Sequence, residues 1–116
     1  MEKHEILEEE ALFDIEHGKY NKAASALYFA LRYLAEKILR LLDEQIPRRD
    51  DKLANAISNK GLANASLALR ILYKLRIKAD YDKTSVCEEE IIEIQQHYRK
   101  AKKEMIEYLN KIRKSG

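Results

Sequence analysis

Apolar residues recur at steps of three and four along most of this chain, the spacing of helices that bury one face. Leu27, Leu31, Leu34, Ile38 and Leu42 form one stripe, and Ala23, Ala24, Ala26, Ala30 and Ala35 cover much of the remaining circumference. That pattern predicts a long helix from an N-cap at Asn21 to about Glu44, apolar on more than one face and therefore central. A shorter helix precedes it, from about residue 2 to His17, stopped by Gly18. Pro47 is expected to end the central helix. The polar run "PRRDDK" then leads into a short helix near Lys52 to Ser58, and Asn59 to Gly61 make a turn.

Leu62, Ala65, Leu69 and Leu72 define the next long helix, to about Ala79, and the following step of the same stripe falls on Arg76. The stretch "DYDKTSVCEEE" reads as a loop closed by Ser85 and Glu88 in capping-box spacing. Ile91, Ile94, Tyr98, Ala101, Met105, Tyr108 and Ile112 then alternate threes and fours down the last helix, as a bundle seam does. The expected fold is all-α, one domain over residues 1–116, an up-and-down bundle of four long helices plus one short one.

Composition agrees. The 116 residues include only 3 Gly and 1 Pro, so few helix breakers interrupt the pattern. Net charge is +2, from 22 basic and 20 acidic residues, which announces neither nucleic acid nor membrane at the level of the whole chain. Arg32, Glu36, Lys37 and Arg40 interrupt the most apolar segment, so no membrane span is expected. A lone cysteine, Cys87, and no signal-peptide pattern point to a reducing, cytoplasmic setting.

Few residues offer chemistry. Asp14 with His17 and Glu93 with His97 could each present two ligands on a helix face, but neither makes the Glu-x-x-His pairs of a di-metal bundle, and no metal or cofactor is expected. Cys87 stands at a helix start with no histidine near it in sequence, and reads as a partly buried structural thiol. Three basic stretches stand out: Arg70 to Lys83, Arg99 to Lys103, and Arg48 to Lys52. Converging, they would make a phosphate-tracking groove; apart, they are solvated faces.

The sharpest anomaly is the cation that ends an inward stripe. Arg76 and Asp80 are four apart and can pair on one helix face. Either the pair is a buried ion pair that fixes the register of the bundle, with Tyr81 closing it, or it is desolvated charge placed to meet an anion. The residues alone support both.

"YNKAASALYFALRYLAEKIL" at Tyr20 to Leu39, then "LYKLRIKADYD" at Leu72 to Asp82 and a long amphipathic helix, resembles the small stand-alone HEPN proteins from Tyr20 to the C-terminus. The resemblance rests on Ser25 to Ala30, a Ser-x-x-Tyr-aromatic-Ala run, and on the Leu-x-x-Leu-Arg-x-x-Ala-Asp-Tyr run. It implies a helical bundle that forms a homodimer, with two Arg-x4-6-His motifs in one cleft. It also implies a metal-independent RNase or toxin-like role beside a small nucleotidyltransferase.

Arg76 matches the motif arginine, but Tyr81 stands where histidine belongs. Imidazole titrates near about 6.5 and suits removal of a 2′-hydroxyl proton; a phenol near about 10 does not. The expectation is therefore binding of nucleotide or RNA phosphate rather than cleavage, with no DNA partner. Arg76, Tyr81, Lys78, Tyr73, Ser25 and Tyr28 are the candidate ligand-binding residues. An active RNase using Arg76 with Asp80 or Tyr81, and a purely structural interaction bundle, are the alternatives.

Overall fold

A computed structural model describes residues 1–81 and 85–115. Its elements, in order, are α1 (Lys3–Glu16), α2 (Tyr20–Leu41), α3 (Asp50–Ser58), α4 (Ala63–Tyr81) and α5 (Glu88–Ser115), with no strand among the described residues. The 28 residues of α5 at about 1.5 Å each match the 44 Å long axis of the molecule, so this helix runs the length of the bundle.

The buried stripes fall where the periodicity puts them. Leu27, Leu31, Leu34 and Ile38 of α2 are at most 2% exposed; Ala23, Ala24, Ala30 and Ala35 around them are closed off, while Ala26 is partly buried. Small side chains let neighbouring helices come close, and α2 packs against α1, α4 and α5. Leu62, Ala65, Leu69 and Leu72 of the α4 stripe are buried, as are Ile91, Ile94, Tyr98, Ala101 and Met105 of the α5 seam. Helix α3 lies against α4, where the Ser66 hydroxyl donates to the Ala54 carbonyl.

Helix ends depart from the sequence reading in several places. Pro47 does not end α2. The helix stops at Leu41, with Asp43 in a left-handed conformation (φ 57°). There Asp43 N–H donates to the Arg40 carbonyl and Glu44 N–H to that of Leu39, the paired bonds that close a helix C-terminus. Gly18 (φ 71°) ends α1 in the same way, as expected.

Lys19, not Asn21, is the N-cap of α2. Asn21 Oδ1 instead accepts from Val86 N–H at 2.9 Å, tying the segment before α5 to the first turn of α2. Helix α3 starts at Asp50, two residues early. At the head of α5 the cap is Cys87, whose N–H donates to Glu90 Oε1 at 3.1 Å, so the box expected at Ser85 and Glu88 is shifted by two. The Cys87 thiol is free and exposed, not a partly buried structural one. Finally, α4 runs through Asp80 and Tyr81, both expected in a loop. Among the described residues no helix is long and apolar enough to cross a membrane.

Candidate functional site

The α4 stripe stays apolar through Leu72 and then delivers Arg76 to the surface of α2. Its guanidinium carbon lies 4.8 Å from the Phe29 ring centroid and 5.7 Å from that of Tyr28, within range for cation–π attraction. Both rings come from the Ser25 to Ala30 run. The apolar register thus carries the stem of Arg76 inward, and aromatic faces receive its charge.

Around the guanidinium the polar partners are sparse. Asp80 Oδ2 is 3.5 Å from Nε, while Asp80 Oδ1 accepts from the Ser25 hydroxyl at 3.4 Å. Arg76 makes no hydrogen bond among the described residues, so its buried Nε has only the loose ion pair with Asp80. The side chain is 23% exposed. A buried N–H left in this state costs free energy that an acceptor oxygen would recover.

A second arginine, which the sequence reading took only as an interruption of an apolar segment, sits close by and is saturated. Arg32 bonds Glu36 Oε2 at 3.0 Å, Asp50 Oδ1 at 2.7 Å, and the carbonyls of Pro47 and Arg48. It thereby pins the α2–α3 connection and the first residue of α3. Asp50 lies between the two cations: burial pushes its carboxyl up, and the charge of Arg76 pulls it back down. No short-range sequence signal links Arg32 to Asp50, 18 residues away.

The remaining candidates separate. Tyr28 is 1% exposed, a floor under Arg76 and not a ligand contact. Tyr73 is half-buried against it, with ring centroids 5.8 Å apart. Lys78 turns instead to α5, where its Nζ sits 3.0 Å from both Glu90 carboxylate oxygens. Ser25 and Asp80 join Arg76. Tyr81 lies in the last turn of α4, and its side chain is outside the described positions.

Some cations of the basic stretches are spent on individual partners: Arg70 on Asn55, Arg49 on Asp51, Lys78 on Glu90 and Lys102 on Glu8. The paired-ligand options stay weak. His17 bonds its own helix at the Phe13 carbonyl, and His97 is 3.9 Å from Glu93.

The sequence also gave no hint of His4, which is 5% exposed, stacks on Tyr33, and has an unpartnered Nδ1. Burial lowers its pKa and so favours the neutral ring. Glu2 and Glu5 stand beside it within ligand distance. The ammonium of Lys37 already bonds Glu2, however, so the group reads as an ion pair over a buried histidine. Comparison with protein-family models, with curated proteins and with solved structures gives no match.

Proposed function

We propose that the chain is a HEPN-type bundle that binds nucleotide or RNA phosphate at Arg76. The observation that carries this reading is the contrast inside one guanidinium. Its central carbon lies 4.8 and 5.7 Å from the ring centroids of Phe29 and Tyr28, while its buried Nε makes no hydrogen bond among the described residues, with only Asp80 Oδ2 nearby at 3.5 Å. A planar cation held this way is oriented before a ligand arrives, and phosphate oxygens suit its fork of donors. Ser25 offers a hydroxyl beside it, and Asp80 would exchange its loose contact with Arg76 for that hydroxyl alone.

The resemblance adds a homodimer and a small nucleotidyltransferase as partners, in a toxin-like or accessory role. Cleavage is not part of the reading: Tyr81 stands where the motif histidine belongs, and a phenol near about 10 does not suit removal of a 2′-hydroxyl proton. A second reading, Arg76 as a structural strut, draws on the two carboxylates of Asp80 and Asp50 within its field.

Titration of labelled RNA and of ATP into wild type and Arg76→Ala, at two salt concentrations and in EDTA, separates the readings. Salt-sensitive binding that a still-folded Arg76→Ala loses supports the phosphate site. Absent binding to either probe, with a large drop in the variant's melting temperature, leaves the strut. RNA cut in EDTA by wild type alone would restore the RNase.

A further inference from the structure

A concavity of about 760 Å³ lies not at the guanidinium but beside it, between α1 and α2. Its apolar surface includes Ile6, Phe13 and Phe29, which are 44%, 55% and 40% exposed. Ile6 and Phe13 are seven residues apart and share a face of α1, which the stacked ring of His17 extends, with centroids 4.1 Å from Phe13. Three large apolar side chains are left open along one groove.

Charge narrows what covers it. The same walls carry four carboxylates, Glu9, Glu10, Asp14 and Asp80, against one lysine, Lys22. A polyanion is repelled from such a rim, so the groove is not an extension of the phosphate site. A second copy docked through the same groove would set these carboxylates against their own images, because a two-fold interface is self-complementary. In the chain's own basic run at Arg99 to Lys103 on α5, Lys102 is already paired with Glu8.

We propose that this groove is the docking site for a positively charged amphipathic helix of another protein. Its apolar residues, at helical spacing, pack on Ile6, Phe13 and Phe29, and its lysines or arginines meet Glu9, Glu10 and Asp14. The groove shares Ser25, Phe29 and Asp80 with the Arg76 site but does not use the guanidinium, so it stands if the phosphate reading fails.

The probe is a fluorescein-labelled helical peptide of roughly 18 residues with leucine on one face and lysine on the other. Two controls accompany it: the same lysine pattern with serine for leucine, and a leucine–glutamate version. Fluorescence anisotropy is expected to show the first peptide binding at least about tenfold more tightly than either control. Phe13→Ser and the double variant Glu10→Lys/Asp14→Lys each weaken it about tenfold with unchanged melting temperature. Arg76→Ala leaves it within about threefold, whatever that variant does to RNA or ATP.

Three results overturn the proposal: no binding, binding equal to that of the serine control, or binding indifferent to both groove variants. So does a dimer in sedimentation that Phe13→Ser dissociates, which would make a second copy the occupant.

Discussion

Arg32 and Arg76 lie on neighbouring helices, and their side chains are similarly enclosed, at 17% and 23% exposure. One has two carboxylates and two carbonyls in hydrogen-bonding range. The other has aromatic faces and a single carboxylate at 3.5 Å. The difference separates a cation that holds the fold from one that the fold holds. Arg32 joins α2 to the start of α3, so its bonds are structural contacts. Removing Arg76 breaks no hydrogen bond among the described residues.

The largest expected effect tests that division directly. Arg32→Ala leaves Asp50 and Glu36 half-buried without their cation and is expected to cost about 2 to 4 kcal/mol in urea unfolding. Arg76→Ala is expected to cost less than about 1.5 kcal/mol in the same measurement. Equal losses would make both arginines struts. Next, Arg76→Lys keeps the charge but not the planar fork. It is expected to weaken RNA phosphate binding while reducing the salt dependence less than Arg76→Ala, which removes about one unit of the logarithmic slope.

Acid sharpens the contrast between satisfied and unsatisfied groups elsewhere in the bundle. Burial lowers the pKa of His4 below its ordinary 6.5. The unfolded chain therefore binds the proton first, and stability falls as pH drops below that value toward the folded pKa. Burial opposes ionisation of Glu8, yet hydrogen bonds from Lys102 and Tyr98 outweigh it and hold its pKa below 4.5. Its stabilisation is present above that value and is lost as pH falls through the folded pKa. A pH series of thermal melts should show two steps, and His4→Gln should remove only the upper one.

The smallest effect concerns the α2 terminus. Asp43→Gly relieves a left-handed non-glycine residue and is expected to stabilise by about 0.5 kcal/mol.

The helices were legible because burial repeats every turn, and the stripe that ends on Arg76 already identified that residue as out of place. What surrounds it was not legible. Ser25 and Asp80 are 55 residues apart, and Asn21 and Val86 are 65 apart; no local period records such pairings. The same limit explains the caps. Asn21 is a good capping residue by type, but its side chain is claimed by a distant amide, and Lys19 takes the cap position by default. Arg32 reads as a polar interruption until the chain has turned back through Pro47. The apolar surface of α1 was unreadable for another reason: Ile6, Leu12 and Phe13 do not all fall on one side, so the segment has apolar content without a single buried face.

Helix α1 has only two buried residues, His4 and Ala11, against ten on α2. Its polar clasp to the far end of the chain is Glu8, which accepts from Tyr98 at 2.8 Å and from Lys102 at 2.7 Å across 90 and 94 residues. With so few buried residues, α1 is expected to detach first, while α2, α4 and α5 keep their common core. Its backbone amides should exchange with deuterium well before theirs. When it leaves, one wall of the acidic groove leaves with it, whereas the arginine resting on Phe29 stays on its helix. The two surfaces therefore have different lifetimes in the same folded molecule, and an occupant of the groove would slow the exchange of α1 alone.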